Sequence, residues 1–432
     1  MNSPSRAPRT SFHLDQSGRR GQTLILFLLM IVILLVFVGL GIDLGFAYIT
    51  KAELSKAVDS AALEGMRNFN LGTITAGEIA SNAFAANYGK SGRDVAPPQV
   101  NFTFGTVNGS EVINVSATVA INTFFIRALP VIGLGNWNTL TVGSSSQATR
   151  SPIILALVLD RSLSMTMNGG STALGPAVTN FIALFNDATD YASEVSFGSC
   201  ATVDVPMQQP FITQIQNAAL ALTFGPNAAT TCSDEGLTNG LAQINVETNV
   251  AAANPNIVPV MVFFTDGMAN TFNYTFTCGS TTNNLDIDYG GGLYDPAGGC
   301  SGYSCSPAPT HLSSINPSNG VITANAVTNG DCISMHYEAE NRAERIAYLA
   351  RDAGYTVYCV GLGNTNDTTL GECGNVFPVL NALFLQDVAN VQGCQTYNPS
   401  QLSGDYAIAE DPGQLANVFQ TIASDILLRL SQ

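Results

Sequence analysis

Two acidic residues in the second half of the chain each end a run of apolar residues. Asp160 closes the run SPIILALVLD, and Ser162 and Ser164 follow it in the pattern D-x-S-x-S. Asp266 closes the run VPVMVFFTD and is followed by Gly267. Carboxylate and hydroxyl oxygens are hard ligands that suit Mg²⁺, Mn²⁺ or Ca²⁺. A cation held largely by neutral hydroxyls stays electrophilic, so the pattern predicts a divalent-metal site that accepts a carboxylate from a partner.

The elements around these residues alternate between strands and helices. The apolar runs before Asp160 and Asp266 suit strands that are buried on both faces of a parallel sheet. A helical pattern follows the first run, and the helix HYEAENRAERIAYLARDAG precedes a third apolar strand at 355–364. This order predicts an α/β fold with a doubly wound parallel sheet. In such sheets ligands bind at the carboxyl ends of the strands, where the strand order switches, and both acids fall at such ends.

The D-x-S-x-S and T-D-G motifs together resemble those of von Willebrand factor type A domains over roughly Pro152–Leu430. The resemblance implies a metal-ion-dependent adhesion site (MIDAS) that adds a threonine from a third loop. Thr231 fits because Leu237 follows six residues later, and Thr230 is the alternative. The implied site binds Mg²⁺ (or Mn²⁺ or Ca²⁺) and, through it, an acidic side chain of a protein ligand. Its implied ligands are Asp160, Ser162, Ser164, Thr231 and Asp266. The competing interpretation is local: an aspartate that caps a helix and serines in a turn.

The domain predicted at 151–432 departs from that family by an insertion at about 268–335, rich in Gly, Asn, Ser, Thr and Pro. A structureless segment of this length is uncommon and is usually functional or stapled. Asp286, Asp288 and Asp295 lie in the insertion, but the spacing of a twelve-residue Ca²⁺ loop is absent. We therefore expect these three acids to lie in solvated turns.

A membrane anchor is predicted near the N-terminus. Residues 24–42 are 19 apolar or Gly residues without a charge, about 28 Å as a helix and close to the hydrocarbon thickness of a bilayer. A cleaved secretory signal is the rival interpretation, but its apolar core is normally shorter. Arginines precede the run at positions 6, 9, 19 and 20, so the positive-inside rule predicts a cytoplasmic tail at 1–23 and a periplasmic or extracellular remainder.

The sequence on either side of this apolar run carries a second resemblance. RRGQ, the run itself and GIDLGFAYITKAELSKAVDSAALEGM resemble the N-terminal segment of TadG-like Flp (Tad) pilus assembly proteins over Arg19–Met66. The resemblance implies other pilus-assembly components and the bacterial inner membrane as partners. Relatives that are processed after the glycine carry Glu at the fifth following position, where this chain has Leu26. We therefore expect an uncleaved anchor.

Residues 43–150 are predicted to form a Tad-like helical stem and a small α+β, pilin-like region. A hairpin is expected around Asn108-Gly109, and a third strand at 140–149. The apolar stretch FFIRALPVIGLGNW at 124–137 is expected either at the membrane surface, against a partner, or packed within its own domain.

Charge and motif content narrow the function. The chain carries 16 Lys and Arg against 32 Asp and Glu, a formal net charge of -16, which excludes a basic surface that tracks nucleic-acid phosphates. A phosphate loop, an HExxH helix and a Gly-x-Ser-x-Gly turn are absent from the sequence, and no general base accompanies the predicted metal ligands, so we expect no enzyme. The sequence favours an anchored pilus or surface assembly or adhesion protein with a metal-dependent protein ligand. The alternative is a structural, minor-pilin-like component without metal-dependent ligand binding.

All nine cysteines lie at position 200 or later, on the side of the membrane where disulfides persist. Cys359 lies in an apolar strand and is predicted to be a buried free thiol. The expected bridges pair the four insertion cysteines with one another, Cys373 with Cys394, and Cys200 with Cys232. The four insertion cysteines are Cys278, Cys300, Cys305 and Cys332.

Overall fold

The computed structural model describes residues 20–89, 92–107, 109–127, 137–225, 229–246, 256–366, 372–376 and 379–430. The helices are α1 (Arg20–Arg67), α2 (Thr73–Asn87), α3 (Ser164–Met167), α4 (Gly170–Ile182), α5 (Ile212–Ala221), α6 (Ser233–Val246), α7 (Cys332–Asp352), α8 (Ala382–Ala389) and α9 (Leu415–Leu430). The strands are β1 (Gln99–Val107), β2 (Ser110–Asn122), β3 (Thr139–Arg150), β4 (Ile153–Asp160), β5 (Tyr191–Phe197), β6 (Ala201–Gln208), β7 (Val258–Thr265), β8 (Thr271–Cys278), β9 (Thr281–Asp288), β10 (Leu293–Asp295), β11 (Ser301–Gly302), β12 (His311–Ile315), β13 (Ile322–Thr328), β14 (Thr356–Leu362) and β15 (Tyr406–Ala409).

The chain forms two compact units. One comprises Met1–Glu64, Glu78–Thr103 and Asn114–Gln147, and the other comprises Gly65–Gly77, Phe104–Ile113 and Ala148–Gln432. The four-part division predicted above, into tail, anchor, stem region and 151–432, stays a prediction.

Helix α1 dominates the first unit. It runs unbroken for 48 residues, so the apolar run at 24–42 and the stem that follows it form one helix. By length and composition, Thr23–Arg67 is a candidate membrane span, and only 6% of its most apolar window is buried. Further along, the small and apolar side chains of Leu54, Ala57 and Ala61 are fully buried. The helix therefore changes from an exposed apolar surface to a face that packs.

Asp43, which directly follows the apolar run, forms hydrogen bonds with the apolar stretch at 124–137, whose location the sequence did not determine. Its carboxylate accepts backbone N–H groups of Phe124 at 2.9 Å, Phe125 at 2.8 Å and Ile126 at 2.8 Å. This part of the apolar stretch is therefore held against its own unit, although both phenylalanine rings stay about half exposed. Residues 128–136 of the stretch lie outside the described residues.

A small sheet has the strand order β1-β2-β3. Only two residues separate β1 from β2, and the second of them, Gly109, has a φ of 79°. An Asn-Gly pair favours such a turn because glycine adopts positive φ without steric cost. The third strand, expected at 140–149, is observed as β3.

The sheet of the second unit confirms the doubly wound α/β prediction. Its strand order is β15-β14-β7-β4-β5-β6. Neighbouring strands are parallel except for β6, which runs antiparallel to β5. Along β4, Leu155 and Leu157 join one buried apolar cluster while Ala156 and Val158 join another. Both faces of β4 are therefore buried, as its continuous apolar sequence predicts.

The insertion is folded. Strands β8 to β11 form a four-stranded sheet, and β12 and β13 form a two-stranded one. Phe272, Leu285 and Leu312 are buried in a separate apolar cluster that also includes Met335 of α7. These strands are rich in Thr and Asn and are partly exposed, so they lack the continuous apolar runs that predicted the core strands.

The disulfide predictions were largely wrong. The bridges are Cys200–Cys300, Cys278–Cys305 and Cys332–Cys373, with Cα–Cα distances of 5.8, 5.6 and 5.5 Å. Only the second joins two insertion cysteines, and the predicted Cys200–Cys232 and Cys373–Cys394 bridges are absent from the described residues. Pairing requires Cα atoms within about 7 Å, which sequence spacing does not reveal. The prediction that Cys359 is a buried free thiol is confirmed, and Cys232 and Cys394 are free as well.

Candidate metal centre

The predicted ligands lie where the direction of the strand order reverses. Asp160 is the last residue of β4, and Asp266 immediately follows β7. These two strands are neighbours in the centre of the sheet, at its topological switch point. Ser162 follows β4 in the connecting loop, and Ser164 begins the short helix α3. The fold therefore brings four of the five predicted residues to one edge of the sheet.

Hydrogen bonds connect these four residues. Asp160 accepts the backbone N–H of Ser162 at 2.8 Å through Oδ1. The hydroxyl oxygens of Ser162 and Ser164 lie 2.9 Å apart. Ser164 Oγ in turn donates to Asp266 Oδ1 at 2.8 Å, across 102 residues of sequence. A local helix cap or turn explains the first two of these contacts, but it does not explain the third, which joins two loops that are distant in sequence.

The two carboxylates are buried without a compensating charge. Asp160 and Asp266 have no exposed surface, and among the described residues neither forms an ion pair with a basic side chain. Burial raises the pKa of Asp160. Burial, and then the neighbouring Asp160 carboxylate, raises the pKa of Asp266 well above its ordinary value. This set of hard oxygen donors, with excess negative charge, fits a small divalent cation.

Thr231 lies just before α6, where Asn270 holds its backbone. Its backbone N–H donates to Asn270 Oδ1 at 2.7 Å, and its carbonyl accepts the backbone N–H of Asn270 at 3.1 Å. Its hydroxyl has no hydrogen bond to the other predicted ligands. The alternative, Thr230, is engaged elsewhere, since its hydroxyl lies 3.0 Å from Ser199 Oγ. Thr231 is therefore the better candidate on that loop.

Three polar residues that the sequence analysis did not assign hold the site in place. Thr265 donates its hydroxyl to Asp160 Oδ2 at 2.6 Å, and Asn168 donates its side-chain amide to Asp266 Oδ2 at 2.6 Å. Asn270 orients the Thr231 loop. Thr265 was visible as the first letter of T-D-G, but Asn168, at the end of α3, had no sequence signal. Each aspartate is thus oriented through both oxygens, in the manner of outer-shell support for ligands.

The three acids of the insertion do not converge. Asp288 and Asp295 are the last residues of β9 and β10, and they accept backbone N–H groups of the turns that follow, from Gly290 and Gly292 and from Ala297. The expectation of solvated turns is therefore met only in part, because both acids are partly buried. Asp286 departs from the expectation because it is fully buried. Burial, followed by the charge of Glu235, raises its pKa to about 9.

Within the described residues, two further groups are compact enough to hold a metal, and both depend on bridged cysteines. One is Cys200, Glu235 and Asp286, and the other is Cys332, His336 and Cys373. Cys200 is bonded to Cys300, and Cys332 is bonded to Cys373. A disulfide sulfur is not a thiolate ligand, so neither group competes with the site at Asp160 and Asp266.

Comparison with known proteins supports the N-terminal resemblance. Residues 21–68 match the family model described as "Putative Flp pilus-assembly TadE/G-like". The match confirms the similarity to Tad-type pilus assembly proteins over α1. Among curated protein sequences, none matches this chain.

Similar solved structures include proteins of pili and of adhesive threads. The pilus adhesin SpaC from Lactobacillus rhamnosus GG is 16% identical with a TM-score of 0.42, over 79% of this chain and 36% of SpaC. The vWF domain of the type V pili tip protein Mfa5 from Porphyromonas gingivalis is 16% identical with a TM-score of 0.37, over 66% and 97%. Proximal thread matrix protein 1 from the mussel byssus, with a zinc-occupied MIDAS motif, is 12% identical with a TM-score of 0.36, over 64% and 46%. This chain thus spans about a third of SpaC, and the fold assignment rests on its own strand order.

Proposed function

We propose that this chain is a membrane-anchored pilus or surface assembly or adhesion protein that binds a protein ligand through a divalent cation. The observation that carries the proposal is the contact between Ser164 Oγ and Asp266 Oδ1, which unites the D-x-S-x-S loop with the T-D-G loop. The match of α1 to the TadE/G-like family model supports the assignment to pilus assembly. The acidic, oxygen-only donor set supports Mg²⁺, with Mn²⁺ or Ca²⁺ as alternatives. We propose a binding protein and not an enzyme.

Each residue has a role that follows from its chemistry. Asp160 and Asp266 supply negative charge, directly or through water, and Ser162 and Ser164 supply hydroxyl oxygens. Thr231 contributes from the third loop, directly or through water. A bound cation supplies an electrophilic centre with a coordination position for an acidic side chain of the partner. Thr265 and Asn168 hold the two carboxylates in orientation through the hydrogen bonds described above.

The test is calorimetric titration of Mg²⁺ or Mn²⁺ into the full chain in detergent, comparing wild type with Asp160→Ala. We expect metal affinity to fall by at least tenfold, because even outer-shell support is worth about 10- to 100-fold in affinity. Glu410→Ala is the matched control, since Glu410 is an exposed acid and its loss should leave affinity unchanged. Equal metal binding by wild type and Asp160→Ala would show that the cluster does not hold a cation.

Partner binding separates the proposal from the structural alternative. Cross-linking in whole cells, with and without a chelator, should show partner adducts that disappear when the cation is removed. Adducts that survive the chelator and the Asp160→Ala substitution would instead favour a structural, minor-pilin-like component.

A further inference from the structure

We propose a second binding site, separate from the metal centre, in which an acidic cavity beside α7 and α8 holds the ammonium or guanidinium group of a basic side chain. The cavity has a volume of about 770 Å³, within the range of ligand pockets. Helix α7 contributes Glu340 and Glu344, α8 contributes Asp387, and the loop Asn316–Ser318 closes another side. The proposal does not depend on the proposed metal site.

Glu340 and Glu344 offer acceptors that the protein itself does not use. Glu340 is only 7% exposed, and its Oε1 accepts the side-chain amide of Asn381 at 2.9 Å. Glu340 Oε2 and both carboxylate oxygens of Glu344 accept no hydrogen bond within the described residues and stay open to solvent in the cavity. Asp387 is better satisfied, since its Oδ1 accepts the Thr396 backbone N–H at 2.8 Å and hydroxyl at 2.9 Å.

The spacing of these acids disfavours a metal ion and favours a larger cation. They are absent from the compact groups able to hold a metal within the described part of the chain. Tyr337 and Leu383 also line the cavity, and they are 55% and 60% exposed. A ring and an aliphatic side chain beside carboxylates fit an apolar stem with a cationic end, the form of a lysine or arginine side chain.

The two cationic groups that lower the pKa values of these acids, Arg351 and His336, do not neutralise the cavity. Arg351 is buried, and it donates to Gln401 Oε1 at 3.1 Å and to the carbonyl oxygens of Asp387 and Val388. Its hydrogen bonds therefore go to Gln401 and to backbone carbonyls and not to the cavity carboxylates, although its charge still lowers the pKa of Glu344. His336, on the same helix, lies near enough to Glu340 to lower its pKa, but burial outweighs this effect.

The electrostatics predict a pH signature. Burial raises the pKa of Glu344 to about 8, helped by the charges of Asp387 and Glu340 and opposed by Arg351. Burial raises the pKa of Glu340 to about 7, helped by Asp387 and opposed by Asn381 and His336. A bound cation favours the ionised carboxylates, so binding should release protons. The affinity for the basic group should therefore rise with pH between about 6 and 9, because the two glutamates of the free protein lose their protons over this range.

The experiment is titration calorimetry on the full chain in detergent with a tri-arginine peptide, its tri-citrulline counterpart and the small cation agmatine. We expect the arginine peptide to bind, the neutral citrulline peptide not to bind, and protons to be released in buffers of differing ionisation enthalpy. Binding of agmatine as tight as that of the peptide would point to a free organic cation, and preference for the peptide to a partner's side chain. Failure of both cations to bind would overturn the proposal.

Two variants test the location of this site. Glu344→Gln should weaken the arginine peptide at least tenfold, and Leu383→Lys should do the same by placing an ammonium at the edge of the cavity. Glu410→Gln is the matched control for the loss of one negative charge. Asp160→Ala should leave peptide binding intact, so a failure of the proposed metal site can be distinguished from a failure of the acidic cavity. Leu383 is mostly exposed, so this second variant preserves the fold even if Glu344→Gln does not. Unchanged binding in Leu383→Lys and in a folded Glu344→Gln would place the peptide elsewhere and contradict the proposal.

Discussion

At the scale of single residues, Glu194 is the least compensated acid in the core sheet. It lies in β5, beside Val205 of β6, and has no exposed surface. Neither of its carboxylate oxygens has a hydrogen-bond partner among the described residues. Burial, and then the charge of Asp204, raises its pKa from 4.5 to about 9. The native protein therefore binds a proton there at neutral pH, whereas the unfolded chain does not.

This raised pKa predicts that stability falls with rising pH. The stabilisation is fully present below about pH 4.5 and is lost as pH rises through the folded-state pKa near 9. One pKa unit corresponds to about 1.4 kcal/mol, so even a third of this shift is worth about 2 kcal/mol at pH 9. Glu194→Gln should flatten the decline in denaturant-derived unfolding free energy between pH 5 and 9 by about that amount. Glu410→Gln should show the same dependence of unfolding free energy on pH as the wild type. If Glu194→Gln also declines with pH in parallel with the wild type, the raised pKa of Glu194 is contradicted.

At the scale of elements, the insertion is the part of the α/β unit whose anchoring is least obvious from the sequence. Cys200–Cys300 joins it to the β5–β6 connection, and Cys278–Cys305 closes it on itself. Asn270, near the start of the insertion, holds the Thr231 loop of the candidate metal centre. The insertion therefore begins beside the site and is covalently tied to a neighbouring loop, which limits the conformations available to its strands.

The disulfide pattern predicts the reactivity of the three free thiols. Peptide mapping of the non-reduced protein should find the three observed bridges and no Cys373–Cys394 peptide. Cys394 is half-buried and its pKa is raised to about 11 by burial and by Asp387, so it should alkylate slowly in the native protein and faster at alkaline pH. Cys232 and Cys359 are fully buried and should alkylate only on unfolding. Native alkylation of Cys359, or its recovery in a bridge, would be inconsistent with the fold.

At the scale of the whole molecule, charge is distributed unevenly along the chain. Residues 1–150 hold 11 of the 16 basic residues and only 8 of the 32 acidic ones. The acidic remainder carries the candidate metal centre and the acidic cavity, and the two proposals are that the first binds a divalent cation and the second a basic side chain. Such a distribution steers basic partners toward the second unit and favours faster association at low ionic strength.

The arginines before α1's apolar run predict its orientation. Protease added to intact cells stripped of their outer envelope should degrade the region after residue 43, because the positive-inside rule keeps the arginine-rich tail in the cytoplasm. A cytoplasmic marker protein must stay intact in the same sample. Protection of the C-terminal region until the inner membrane is lysed would reverse the proposed topology.

Features that depend on nearby residues were predictable from the sequence. The length and hydrophobicity of the apolar run in α1 predict a helix that can span a membrane. The unbroken apolar sequence of β4 predicts a strand that is covered on both faces. Asp160, Ser162 and Ser164 lie within five residues at the carboxyl end of a strand, so their shared edge of the sheet follows from the strand's direction. The candidate site was therefore largely visible before the fold.

Features that depend on elements far apart in the chain were decided only by the tertiary structure. Cys200 meets Cys300 across 100 residues, and Asn168 meets Asp266 across 98, because the sheet order places their loops together. Asp286 appeared to be a turn residue, yet β8 and α6 bury it, and the acidic cavity exists only where α7 and α8 pack side by side. Sequence patterns report the local conformation and the burial of a single element. They do not specify which distant side chains are buried next to one another. That proximity determines which cysteines form disulfides, which acids have raised pKa values and which residues line a binding site.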